Sequence, residues 1–287
     1  MTTTTATYLA VSQNLSRYQT MTADQGAVKT ASKYYAANIG KVTSIKDFVG
    51  NFRLLSYALD AYGLGNEVNS TALVTQVLEG GVSNPKSLAN TLSNPNWAKF
   101  AAAFNFVGKG AASASTASAI KTTTNDYVEQ QLETDQGQQD PGVQLALYFQ
   151  RVAPTVSSAY GIMGDVNLLD VVQTIFGLPP ETAGTNIDAE ASEISKLVPM
   201  STLRDPAKLQ QLTERFTAMY DATYGPGSTA APLTISSDGN SSAPVSAATT
   251  ILSGVISANS SYSGLASSAA AFSSDMMASL QGLTLGG

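Results

Sequence analysis

Glu129 and Glu133 stand four residues apart in YVEQQLETDQGQQD, with Asp135 and Asp140 following in the same stretch. That spacing puts the first two carboxylates on one helix face, where a pair could hold a divalent cation or share a proton as acid and base. The surrounding Gln and Thr residues favour the plainer reading, a solvated face of a polar helix. Asp188, Glu190 and Glu193 fall near the start of another predicted helix, where negative charge complements the dipole. Arg151, in LALYFQR, is the one basic side chain embedded in an apolar run. It either anchors a partner or is paired within the chain with its stem buried, and the second reading is adopted.

Other chemistry is excluded more firmly. The chain has no Cys and no His, so disulfides, thiol nucleophiles, imidazole bases and Cys/His zinc sites are all ruled out. No Walker loop, GxGxxG or GxSxG is present. Gly80-Gly81, after VTQVLE, reads as a helix end and not as a phosphate cradle. Trp97 and the pairs Phe104 with Phe106 and Tyr148 with Phe149 read as core. No catalytic, cofactor-binding or metal-ligating residue is assigned, no cofactor is expected, and the chain is not expected to be an enzyme.

The elements that position these residues are helical. Ser44 followed by Asp47 resembles a capping box, and Leu54, Leu55, Ala58, Leu59 and Tyr62 recur at helical spacing behind it. Gly63 sits where a left-handed C′ residue belongs, with Leu64 closing a Schellman-type end. Asn84-Pro85, Asn94-Pro95 and Asp205-Pro206 each put an acceptor side chain before a proline, the pattern of an N-cap followed by N1. The predicted class is therefore all-α.

A stretch of the chain recurs. Leu54, Leu55, Gly63 and Leu64 reappear as Leu168, Leu169, Gly177 and Leu178, each 114 positions later. Tyr34, Val42, Ser44 and Gly50 match Tyr148, Val156, Ser158 and Gly164 at the same offset. With a short deletion beyond Gly177 the match continues, Pro95 falling near Pro206 and Phe104 near Phe216. This pattern implies two related helical units, residues 34–110 and 143–224. They are preceded by an N-terminal helical segment, 1–33, and separated by a linker and polar helix, 111–142.

A Gly/Ser/Pro-rich linker follows at 225–244, and after it, over 245–287, the composition changes: only Asp275 is charged. Yet Ile251, Val255, Ala258, Tyr262, Leu265, Ala269, Phe272 and Met276 alternate spacings of four and three, a heptad seam flanked by Ser, Ala, Thr and Asn. These eight residues are the candidate assembly interface. The N-terminal segment carries a weaker version, Tyr8, Val11, Leu15 and Tyr18, then Val28, Ser32, Tyr35 and Ile39 after a phase shift. Long heptad-patterned helices are thus expected at both ends.

Composition limits the partners. Of the 287 residues only 13% are charged, and the net charge of -6 opposes binding to nucleic acid. No apolar run is long enough to cross a bilayer, so membrane insertion is not expected. MTTTTATYLAVSQNLSRYQ has neither a basic start nor an apolar h-region, so no ordinary secretory signal is expected.

NIGKVTSIKDFVGNFRLLSYALDAYGL, AFNF, DPGVQLALYFQR and DPAKLQQLTERFTAMYD, in that order, resemble an uncharacterised bacterial family, one of unknown function found in alphaproteobacterial flagellar gene clusters. The resemblance covers roughly residues 8 to 225 and brings no catalytic residues. It implies a flagellum-associated protein. The expectation is an exported structural or junction subunit whose low-charge terminal helices pair with copies of itself or with other flagellar proteins. The alternative is a cytoplasmic assembly or export factor that binds partner helices. The N-terminal patterns typical of rod, hook and filament proteins are not evident.

Overall fold

The computed structural model describes residues 3–92, 94–178 and 186–225, together with positions 228, 230, 232, 233 and 235. Every regular element among them is helical, as expected. Residues Met1–Ser242 make one compact unit. The first half contains α1 (Thr4–Ser12), α2 (Leu15–Asp24), α3 (Gly26–Asn38), α4 (Ile45–Gly50), α5 (Phe52–Ala61), α6 (Thr71–Gly80), α7 (Leu88–Thr91), α8 (Asn96–Ala103) and α9 (Phe106–Lys109). The second contains α10 (Ala117–Gly137), α11 (Pro141–Val152), α12 (Ala159–Met163), α13 (Val166–Phe176), α14 (Ile187–Leu197), α15 (Met200–Arg204) and α16 (Pro206–Tyr224).

The same order of elements occurs in both halves. A helix ending at Asn38 or Val152 leads into a 3-10 turn, Ile39–Lys41 or Ala153–Thr155. Next comes a short helix capped by a serine: Ser44 Oγ accepts from the Asp47 amide, and Ser158 Oγ from the Gly161 amide. The following helix is capped by Asn51 in one half and Asp165 in the other, whose side chains accept from the amides of Leu54 and Leu168 respectively. Each of these helices ends on a left-handed glycine, Gly63 at φ 70° and Gly177 at φ 65°. The amides of Leu64 and Leu178 then close back on the carbonyls of Leu59 and Gln173, at 2.8 and 2.9 Å, the long bond of a Schellman end.

The surroundings of the two glycines differ. A Cβ built on Gly63 would lie 3.2 Å from Gln130 Nε2 and 3.4 Å from Asn96 Nδ2, whereas one on Gly177 meets nothing within 4 Å among the described residues. Gly63→Val and Gly177→Val are each expected to cost on the order of 1 kcal/mol or more from the positive φ. Gly63→Ala should cost more than Gly177→Ala because of the crowding. Thermal melts giving the two Ala variants equal losses would contradict that account.

The buried hydrophobic residues fall into two clusters, and each borrows a helix across the halves. The first gathers Phe48, Leu54, Leu55, Leu59, Phe100 and Phe104, and is completed by Tyr127 and Val128 of α10. The second gathers Phe149, Leu168, Val171, Val172 and Phe216, and is completed by Tyr8 and Val11 of α1. The expected segment 1–33 is accordingly not a peripheral seam, since Tyr8 is 0% exposed. Asp221 of α16 also accepts from the backbone amides of Thr4 and Thr5, satisfying donors that a helix start leaves open. Residues 34–110 and 143–224 therefore do not stand as separate bodies, because each core is incomplete without a helix lying outside those bounds.

Three further expectations need correction. The long N-terminal helix is instead α1, α2 and α3, broken at Gln13-Asn14 and at Gln25, whose ψ of 137° is extended. The second break falls in the phase shift of the apolar pattern. Asn84-Pro85 starts no helix: Asn84 Oδ1 accepts from the Lys86 amide in a turn, and α7 begins only at Leu88. The linker 225–244 is packed at its start, with Leu233 buried in the second cluster and its carbonyl accepting from Tyr220 Oη at 3.1 Å. The seam from Ile251 to Met276 lies outside the described residues.

Candidate functional site

None of the four clustered carboxylates is a free solvated group. Gln19 of α2 donates to Glu129 at 2.9 Å, and Gln25 donates to Asp135 at 2.7 Å. Asp140 caps α11 through the amides of Gly142 and Val143 and accepts from Thr4 Oγ1. Glu133 is buried, and Arg151 grips it with two bonds, Nε to Oε1 at 2.6 Å and Nη2 to Oε2 at 2.9 Å. The reading of a solvated face fails at Glu133, which α11 covers, while Glu129, Asp135 and Asp140 stay partly exposed. Arg151 is paired within the chain, as read.

The network continues beyond this pair. Arg151 lies over the Tyr148 ring, 5.4 Å from its centroid, and Tyr148 Oη donates to Asp165 Oδ2. The other carboxylate oxygen, Oδ1, caps α13 by accepting from Asn167 and Leu168. Glu133, Arg151, Tyr148 and Asp165 thus tie α10, α11 and α13 into one buried polar strip. Burial pushes the Asp165 carboxyl up, against the lowering effect of the Tyr148 hydrogen bond, and burial also raises the Tyr148 phenol. For Arg151, burial acts to lower the pKa, but the Glu133 carboxylate outweighs it and the guanidinium stays charged. Sequence reasoning missed Asp165 and read Tyr148 as plain core. The repeat held the signal: Asn51 and Tyr34, at the same spacing in the first half, are also hydrogen-bonded, Nδ2 to Oη at 3.4 Å.

Tyr148 and Asp165 also form one wall of a cleft of about 330 Å³. Its other walls come from the C-terminal end of α5, from α10 and from the loop before α8. Elsewhere the predicted groups are structural. Asp188 accepts from Tyr160 Oη at 2.7 Å, and Asp188 and Glu190 sit in the first turn of α14. Gly81 ends α6 at φ 55°, and Trp97, Phe104 and Phe149 are core. Among the described residues no three His, Cys, Asp or Glu side chains are grouped to hold a metal ion. No described helix is long and apolar enough to cross a membrane.

These features define an all-helical protein whose two halves exchange helices around a buried charged strip. The family model described as "Protein of unknown function (DUF1217)" matches residues 61–209, and the chain belongs to that family. A crystal structure of an Agrobacterium tumefaciens protein is similar at 36% identity and a TM-score of 0.71, covering 75% of this chain and 92% of that one. No curated protein matches the chain.

Proposed function

We propose that this protein is an exported structural or junction subunit of the bacterial flagellum that assembles through its C-terminal segment. The flagellar part rests on the sequence resemblance to a family encoded in flagellar gene clusters. The observation that carries the assembly part is the contrast between the body and the tail. Within the body, the apolar side of α1 is already filled by α11 and α16. Residues 251–276, in contrast, hold eight seam positions flanked by small neutral side chains, with a single charge after 244. Such a segment gains little from water and much from close neighbours, because isolated helices depend on packing. Absence of Cys and a charge-poor chain suit passage through an export channel in unfolded form.

Leu265→Asp tests this. It sets an unpaired carboxylate in the seam, whose desolvation a packed interface does not tolerate. The variant is expected to keep its main melting transition while disappearing from sheared, purified flagella in which the parent is detected by immunoblot. A sharp drop in melting temperature would make the tail part of the monomer core, and normal incorporation would remove the seam as the interface. A parent protein found in cytoplasm alone would favour an assembly factor.

A further inference from the structure

Tyr57 of α5 lies face to face with Tyr127 of α10, the ring centroids 4.0 Å apart and the planes 25° from parallel. Aromatic pairs usually stand with centroids roughly 4.5–7 Å apart, so this contact is closer than ordinary core packing. Tyr57 also stacks on Tyr35 of α3, at 4.6 Å. Three phenols thus run in one stack through the first cluster.

Faces that close and that nearly parallel set an ortho (Cε) carbon of each phenol over the other ring, whichever way the hydroxyls point. In a phenoxyl radical the unpaired electron is shared between the oxygen and those ortho carbons. Two such radicals held face to face are placed to couple.

The exits for protons select the pair. Burial raises the phenols of Tyr57 and Tyr127, the latter to about 12, so both stay protonated near neutral pH and each must lose a proton with its electron. Tyr57 Oη donates to Ser32 Oγ at 3.0 Å, and Ser32 is only partly buried, which gives that proton a route to water. Tyr127, the most exposed of the three at 9%, releases its proton to solvent. Tyr35 is 0% exposed, and its buried Oη has no hydrogen-bond partner among the described residues. Its proton has no acceptor.

We propose that Tyr57 and Tyr127 are an oxidative cross-linking site, joined as dityrosine by a bond between their ortho carbons when a one-electron oxidant acts on the folded protein. Each phenol gives up one electron and its hydroxyl proton, the two ring radicals join, and the two displaced ortho hydrogens return through water to the oxygens as the rings regain aromaticity. The product is lighter by two hydrogens. One persulfate ion, taking up both electrons to become two sulfates, balances the step, and two protons pass to water. The chain has no Cys, so this is a covalent staple open to it without a thiol, and the site holds whether or not the protein is exported. It ties α5 to α10 and closes a long loop, which raises the melting temperature by restricting the unfolded chain.

The test uses the dilute full-length protein, oxidised by persulfate with tris(bipyridine)ruthenium(II) under visible light. Exposed tyrosines such as Tyr160 can join separate chains, so the product is read from the monomer band, by dityrosine fluorescence and by tandem mass spectrometry of its peptides. That band is expected to fluoresce and to yield peptides joined between Tyr57 and Tyr127. Tyr57→Phe and Tyr127→Phe should each bring the signal down to background, while Tyr35→Phe keeps it. If Tyr57→Phe, which loses the bond to Ser32, fails to fold, Tyr127→Phe decides. The proposal is overturned if the monomer band holds no link between these two residues, if Tyr127→Phe fluoresces as strongly as the parent, or if parent protein unfolded in urea before oxidation gives the same yield of that link.

Discussion

Glu133→Ala is expected to lower the melting temperature by roughly 6–12 °C. The substitution leaves the Arg151 guanidinium between α10 and α11 without its carboxylate. Losing one member of a buried pair costs about 3–5 kcal/mol, mostly from the stranded charge. The Arg151 side chain keeps 27% of its surface exposed, so the lower end, about 3 kcal/mol, applies. For a body of this size 1 kcal/mol corresponds to roughly 2–4 °C. The double variant Glu133→Leu with Arg151→Met should be less destabilised than Glu133→Ala, since it strands no charge. Calorimetry showing the double variant as unstable as the single would mean that the volume at this site, and not the ion pair, is what matters.

Tyr8→Ala is expected to cost about 3–5 kcal/mol, the range for truncating a large buried aromatic side chain. Tyr8 is 0% exposed, packs in the second cluster and donates to Gln210 Oε1 at 3.3 Å. The melt should remain a single cooperative transition at a temperature lower by roughly 6–20 °C. This result separates two roles for α1. A helix reserved for contacts between subunits could lose Tyr8 with no change in the melt of the isolated protein. One that completes a core cannot.

Several features were legible because their causes are local. A serine or aspartate accepting an amide two or three residues on, a proline at N1 and a left-handed glycine at the end of a helix depend on a few consecutive dihedrals. Ser44, Asp205, Gly63 and Gly177 therefore do in the fold what their neighbours in the chain imply. The helical class and the exclusion of Cys and His chemistry were equally available from the residues alone.

The partner of a side chain is decided by tertiary packing, and there the local rules gave out. Glu133 looks solvated on its own helix, because nothing within four residues shows that α11 will lay Arg151 against it. Tyr8 looks like part of a seam awaiting a neighbour, because its amphipathic pattern is the same whether the facing surface belongs to another chain or to α11 and α16. The cleft is likewise invisible in sequence, since Asp60, Gln130 and Asp165 line it together only once α5, α10 and the start of α13 are packed in the fold. Periodicity states which face of a helix is apolar. What that face touches is chosen by the packing of the whole body, in which burying all the apolar faces together outweighs the preference of any one of them.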